Sequence, residues 1–395
     1  MTEKWSANNY HEMNEVPFEY GERAWVRDAD GIWYLDCLAG YSANNFGHRH
    51  PLLVEAAKKQ LDNLTLTARA YKQDQLEPFC QELGELTGKE AVLPMNTGAE
   101  AVETALKLAR KWGEEVKGIQ KSKSNIIVMD ENFHGRTTTV ISFSSDPSAR
   151  GGFGPYTPGF RSVPFGDAEA IKNAVDENTA AVLLEPIQGE AGVIIPPDGF
   201  LREVRDVCSR ENVLMIADEI QSGLGRTGKT FACDYEDVQP DVFILGKALG
   251  GGIMPVSAVC ANRDIMDVIR AGEHGSTFGG NPLACAVGRA SIALIKDGRY
   301  QKNAVQRGRQ MHGHLEELVG KGITEVRGRG LWFGIDIDPE LMSGRKACEL
   351  LLARNVLAKD THGSTIRFSP PLNIFPEEVE FAANQLHDIL YVARK

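Results

Sequence analysis

The stretch DVFILGKALGGGIMP, residues 241–255, decides how the chain is read. Four apolar residues, Val242 to Leu245, end in Gly246; Lys247 follows, and then Gly250, Gly251 and Gly252. β-Branched and aromatic residues closed off by glycines describe a short core strand. Lysine is almost never fully buried unless paired. One at the end of such a strand is therefore either exposed at the sheet's rim or engaged in chemistry.

Working outward, four more apolar runs match it: AVLPM (91–95), NIIVMD (125–130), AAVLLE (180–185) and NVLMIAD (212–218). Glu185 to Asp218 is 33 positions and Asp218 to Lys247 is 29, the length of a strand, a crossover helix and a strand. Strands apolar on both faces and alternating with helices predict an α/β fold with a mainly parallel sheet covered by helices. Residues 23–38, RAWVRDADGIWYLDCL, instead alternate about Asp30-Gly31, a hairpin signal. From about residue 300 the chain becomes more helical and charged, with a late strand pair around GLWFGIDID and TIRFSPP. This pattern predicts a smaller α+β domain from both termini, 1–50 and 296–395, around a large domain of 51–295. There is no internal repeat or low-complexity linker.

Composition narrows the function. A chain of 395 residues, 42% hydrophobic and 25% charged, is an ordinary globular protein. Its net charge of −11 argues against nucleic acid or an anionic membrane as partner. No apolar run approaches a membrane span. The start, MTEKWSANNYHEMNE, has neither a signal core nor the arginines of a transit peptide, so a cytoplasmic location is expected. Seven cysteines, none in a CxxC pair, predict reduced and mostly buried thiols with no metal site.

Ligands of open α/β sheets bind beyond the carboxyl ends of the strands. That rule selects Glu185, Asp218 and Lys247, and with them MNTGAEAVETALKLAR (95–110), where a strand turns into a helix. Thr97 with Glu100 fits a capping box. Gly98 lets a ligand approach the backbone, where free N–H groups favour a phosphate. Each feature has a plain alternative: a well-capped helix, a core carboxylate satisfied by backbone donors, a lysine snorkelling to the surface. Together the alternatives fit poorly. A second motif misleads: GLGRTGKT (223–230) matches the GxxxxGK[ST] nucleotide loop. It does not leave its strand directly, and acidic residues and Pro240 follow where a long helix should, so a plain loop is expected.

A phosphate cradle, a carboxylate and a lysine at neighbouring strand ends are what pyridoxal 5′-phosphate (PLP) needs. The lysine forms a Schiff base with its aldehyde, and the carboxylate keeps the pyridine nitrogen protonated so that the ring draws off electrons.

The motifs then carry a family resemblance running nearly end to end. GYSANNFGHRHP, MNTGAEAVETALKLARKWG, NFHGRT, EPIQGEAGV, IADEIQSGLGRTG, LGKALGGG, GEHGSTFGGNPLAC and AKDTHGSTIRFSPPL resemble the class III PLP-dependent aminotransferases of fold type I. The resemblance implies a seven-stranded sheet, PLP as cofactor and a homodimer with shared sites. It implies that Lys247 is the Schiff-base lysine and proton shuttle, and that Asp218 pairs with the pyridine nitrogen. Phe133 should stack on one ring face, Ile220 pack on the other and Gln221 lie near the ring hydroxyl. Gly98 and Ala99 should hold the phosphate, with Thr277 reaching the neighbouring subunit's cofactor. For substrates it implies L-ornithine and 2-oxoglutarate. Arg136, Tyr10 and Tyr41 are expected around ornithine's carboxylate and α-amine. Arg367 is expected on the oxo acid's carboxylate, with Glu190 neutralising Arg367 while the amine is bound. Other ω-amines (acetylornithine, 4-aminobutyrate) and a semialdehyde aminomutase on the same fold are the alternatives, and relatives acting on those amines tend to lack a tyrosine at position 41. His134 stands where a larger aromatic is expected and should alter the pocket's edge but not the chemistry.

Overall fold

A computed structural model describes residues 5–7, 9–10, 12–13 and 16–395. Its strands are β1 (Phe18–Glu22), β2 (Trp25–Asp28), β3 (Trp33–Asp36), β4 (Ala91–Met95), β5 (Asn125–Met129), β6 (Phe160–Val163), β7 (Thr179–Leu184) and β8 (Leu214–Asp218). β9 (Val242–Leu245), β10 (Ser257–Ala261), β11 (Ile323–Gly328), β12 (Phe333–Ile337), β13 (Val356–Leu357), β14 (Lys359–Thr361) and β15 (Thr365–Phe368) follow.

The central sheet has seven strands in the order β4-β10-β9-β8-β7-β5-β6. Only β10 runs against its neighbours. Every residue of β8 is buried, and its side chains alternate between two cores. Leu214 and Ile216 pack with Val102, Ala105 and Ala109 of the Gly98–Trp112 helix. Met215 and Ala217 belong with Val204, Val207 and Cys208 of the Phe200–Arg210 helix. Each such large apolar side chain stabilises the fold by about 1.5–3 kcal/mol. All five expected strands are present, trimmed by one or two residues at half of their ends, and β7 starts one residue earlier. β6 and β10 were not foreseen: β6 is a four-residue edge strand, and β10, SAVCA, is too rich in small residues to stand out.

The N-terminal hairpin forms as expected. Asp28 Oδ1 accepts the N–H groups of Asp30 (3.1 Å) and Ile32 (2.9 Å), and Gly31 supplies the positive φ of the turn. β13 joins β3 in parallel, so one four-stranded sheet takes strands from both ends of the chain. The late pair, β12 and β15, is antiparallel within a second four-stranded sheet, β11-β12-β15-β14.

The GLGRTGKT segment forms turns and opens no helix. Its Arg226 is fully buried: Nη1 donates to the carbonyls of Leu331 (2.9 Å) and Pro370 (2.7 Å), and Nη2 to Asn45 Oδ1. A side chain tying three distant segments together explains the motif without a nucleotide. All seven cysteines are free. Among the described residues no helix is long and apolar enough to cross a membrane.

Candidate active site

The carboxyl ends of β4, β5, β7, β8 and β9 each deliver a predicted residue to one edge of the sheet. At the end of β4 the helix Gly98–Trp112 begins with a complete capping box. Thr97 Oγ1 accepts the Glu100 N–H (3.2 Å), and the Glu100 carboxylate accepts the N–H groups of Thr97 and Asn96 (2.9 Å each). Ala101 N–H reaches the Thr97 carbonyl. Of the four N–H groups a helix start leaves unpaired, Gly98 and Ala99 therefore keep theirs for a ligand. A Cβ on Gly98 would lie 3.0 Å from Ile220 Cδ1, so the missing side chain also lets Ile220 close over this turn.

β9 passes through Gly246 into Lys247, whose φ of +43° is uncommon outside glycine. Lys247 lines a cavity of about 350 Å³ together with Asn96, Thr97 and Gly98. Its ammonium makes no hydrogen bond or ion pair among the described residues. Burial pulls its pKa below the usual lysine range; Glu190 opposes this, Arg367 adds to it, and Asp218 and Glu185 oppose it. An unpaired lysine of lowered pKa is a better nucleophile and proton carrier than a solvated one.

Asp218 ends β8 and is 5% exposed. Its Oδ1 accepts the Ile220 N–H (3.1 Å), and its Oδ2 lies 2.7 Å from His134 Nδ1. His134 thus differs from the sequence reading, which put it at the pocket's edge: it is buried beneath the carboxylate. The loop after β5 explains the difference, since Phe133 N–H bonds Glu185 Oε2 (3.1 Å) and turns the next side chain inward. Burial disfavours the imidazolium, but the bond and charge of Asp218 outweigh it, and the His134 pKa is raised. Its Nε2 has no partner among the described residues. Glu185, the strand end for which the sequence offered no role, completes this group; burial raises its carboxyl to about 7, against the influence of His134. The position of His134 in NFHGRT marked the loop, but only a contact across 84 residues of sequence could reveal its partner.

A second cluster lies toward the C-terminal sheet. Arg367 on β15 is 2% exposed and donates through Nη1 to Glu190 Oε1 at 2.6 Å. Burial would raise the Glu190 carboxyl, yet Arg367 holds it below the usual range. Arg367 also lies over the Tyr41 ring, 5.3 Å from its centroid. Gln221 spans the cluster, its Nε2 3.4 Å from both Glu190 Oε1 and the Tyr41 carbonyl. Tyr41 has a raised pKa, chiefly from burial, with Arg367 opposing and Tyr10 adding to it; Tyr10 is therefore close, though exposed. Arg136 is exposed and sits over the Phe133 ring at 5.8 Å. Thr277 stands apart from both clusters, exposed in the loop where Asn96 bonds Ser276.

Residues 5–390 match the family described as aminotransferase class-III. The chain belongs to that family. An ornithine aminotransferase of Geobacillus sp. (strain WCH70) is 52% identical over 389 residues, 98% of this chain and 97% of the relative. A structure of the ornithine aminotransferase from Toxoplasma gondii, with PLP at partial occupancy in its active site, superposes with a TM-score of 0.95 at 40% identity, covering 99% of this chain and 93% of that one. The acetylornithine aminotransferase from Elizabethkingia anophelis superposes at 0.89 with 48% identity, over 98% and 96%. The class-III chain thus has the fold of PLP-dependent transferases.

Its residues also suit the cofactor. Two helix N–H groups are free for a phosphate, a buried carboxylate ends a central strand, and a lysine without a partner lines the same edge.

Proposed function

We propose that this class-III aminotransferase moves the δ-amino group of L-ornithine to 2-oxoglutarate, giving glutamate 5-semialdehyde, which cyclises to pyrroline-5-carboxylate, and glutamate. The observation that carries the reading is the Arg367–Glu190 pair beside Tyr41. A site for two substrates of different charge needs a cation that can be masked and unmasked. With Glu190 on Arg367 that guanidinium is neutralised, and this end of the pocket admits a second ammonium group. When Glu190 swings away, the guanidinium offers its planar fork to the oxo acid's carboxylate.

When bound, PLP supplies the aldehyde and the electron-withdrawing ring through which an amino group is exchanged. Gly98 and Ala99 would hold its phosphate, Phe133 and Ile220 its ring faces, Gln221 its ring hydroxyl and Asp218 its ring nitrogen. His134 holds Asp218 in place and, by keeping a proton on Nδ1, leaves the carboxylate ionised. Lys247 carries protons between Nζ and the substrate carbon, a task suited to an amine of lowered pKa. Arg136 would bind ornithine's α-carboxylate, with Tyr10 and Tyr41 at its α-amine.

The oligomer we propose is a homodimer. Exposed Leu64, Leu66 and Tyr71 lie on a segment held to Gly279 and Gly280 by Arg69 and Gln73, beside exposed Phe278 and Thr277. A second copy covering this patch would bring Thr277 to the neighbouring cofactor. We further propose a cytoplasmic location and a division into a large cofactor-binding unit (51–295) and a small one (1–50 with 296–395), the latter supported by β13 joining β3.

The acetylornithine-named relative at 48% identity favours a second reading, transfer from acetylornithine. One half-reaction separates them. PLP-loaded protein given L-ornithine and no oxo acid should lose the cofactor's absorbance band with one equivalent of trapped pyrroline-5-carboxylate. A band that persists with ornithine and disappears with acetylornithine or 4-aminobutyrate would overturn the substrate assignment.

A further inference from the structure

The Glu190 side chain has two tasks in the reading above, yet its backbone is held unusually firmly. It sits in a turn closed by the bridge between Gln188 and Ile194. The C-terminal sheet grips this turn at two points. Thr361 Oγ1, at the end of β14, donates to the Glu190 carbonyl at 2.5 Å. Arg327 of β11 donates through Nε and Nη2 to the Gly192 carbonyl at 3.3 Å. Arg327 is itself fixed by both oxygens of Asp336 (2.7 and 2.8 Å), and Asp336 accepts from Thr365 Oγ1 (2.6 Å). The turn lies so close to β12 that a Cβ on Gly334 would fall 2.0 Å from the Gly192 carbonyl oxygen.

These contacts share an origin. β14 pairs with β15, with Thr361 opposite Thr365 and Lys359 opposite Arg367. The same two-stranded unit therefore supplies the arginine of the pair and anchors the backbone of its glutamate. Releasing such a turn would free its backbone dihedrals and scatter the side chain they aim. Holding the turn fixes the place from which the Glu190 side chain reaches Arg367, so a looser turn weakens the masked state.

We propose that Thr361 is a positioning residue for the Glu190–Arg367 switch: its bond to the Glu190 carbonyl aims the carboxylate at Arg367 and so keeps the dicarboxylate site masked by default. The proposal rests on the two-state role given to Glu190 under Proposed function. Without the hydroxyl the pair opens more readily, and dicarboxylates gain access at the expense of selectivity for ω-amines.

The test is calorimetric titration of the PLP-loaded protein with glutarate, a five-carbon dicarboxylate with no group to transaminate. Loss of one hydrogen bond worth about 1 kcal/mol predicts that Thr361→Val binds glutarate roughly fivefold more tightly. Thr361→Ser, which keeps the hydroxyl, should match the wild type. In a Glu190→Ala background, where there is no carboxylate to aim, Thr361→Val should change nothing. Thr361→Ala gives the same comparison if valine disturbs β14. Unchanged affinity in both Thr361→Val and Thr361→Ala, or equal tightening with and without Glu190, would overturn the proposal. So would a Glu190→Ala protein that fails to bind glutarate, since Arg367 would then not be the site. A wild type that spares ornithine but converts another ω-amine would overturn the substrate assignment alone and leave the glutarate result standing.

Discussion

The two charged clusters at the carboxyl edge of the sheet are built in opposite ways. In the first, His134, Asp218 and Glu185 are each 5% exposed or less, and the bonds between ring, carboxylate and backbone are 2.7–3.1 Å. In the second, the Glu190 side chain is 26% exposed, Gln221 reaches its partners only at 3.4 Å, and one short bond joins Glu190 to Arg367. Removing one member of a buried charged pair costs about 3–5 kcal/mol, so the first cluster is locked. A half-open pair can exchange its partner for a substrate at far smaller cost. We propose that the fixed electrostatics serve the step common to every aminotransferase, and the adjustable electrostatics the choice between amine and oxo acid.

The largest break in this comparison comes from Lys247, the charged residue at this edge that belongs to neither cluster. Lys247→Ala should abolish turnover with every donor, because proton transfer alone is worth about 10²–10⁴ in rate and no other amine lines the cavity among the described residues. Single-turnover kinetics with ornithine would check this; measurable turnover would give the proton transfers to another residue. A smaller, uniform loss should follow His134→Phe, which leaves Asp218 Oδ2 without its buried donor; the part of the cost that falls on catalysis is about 1.5–3 kcal/mol, the worth of a hydrogen bond to a charged group. That is a roughly ten- to hundredfold fall in kcat/KM, the same for all donors. A loss confined to one donor would place His134 in the adjustable cluster instead.

Tyr41 probes the other side. Its ring lies under Arg367 and its carbonyl takes a bond from Gln221. Tyr41→Ile keeps the apolar bulk and removes the hydroxyl that we propose meets ornithine's α-amine, a group 4-aminobutyrate lacks. A hydrogen bond to a charged group is worth about 1.5–3 kcal/mol, so preference should move toward 4-aminobutyrate by roughly tenfold or more, with the cofactor's spectrum unchanged. Competition between the two donors would show it, and unaltered selectivity would remove Tyr41 from the substrate site.

What could be read from the chain follows the same division. β8 and β9 were legible because strands buried on both faces must be continuously apolar, and their terminal Asp218 and Lys247 stand out against that background. The Thr97–Glu100 cap was legible because its two partners are three residues apart. The tight cluster was not: His134 meets Asp218 from a different strand, and no local pattern distinguishes a histidine turned inward from one turned outward. The Glu190–Arg367 pair, 177 residues apart, could be named only through the family resemblance. β10 escaped notice because small residues fill a strand without marking it.

The smallest effect is one of pH, and it isolates the locked cluster from catalysis. Glu185 is held by burial near a pKa of about 7, while a free glutamate ionises near 4.3. Between those values unfolding releases a proton that the folded protein keeps. Stability therefore falls as pH rises through this window, by up to about 1.4 kcal/mol per pH unit for one group, and levels off above it. Glutamine keeps an acceptor for the Phe133 N–H and has no proton to lose. Glu185→Gln should thus flatten the stability profile by about one proton between roughly pH 5 and pH 7. Glu219, also raised to about 7 by burial and held by Ser222 and the Cys233 N–H, retains its own slope in the variant. Denaturant midpoints across the window measure the difference. An unflattened profile would mean that Glu185 is ionised throughout, balanced by His134. The first cluster would then be an ion triad rather than a carboxylate with a neutral neighbour.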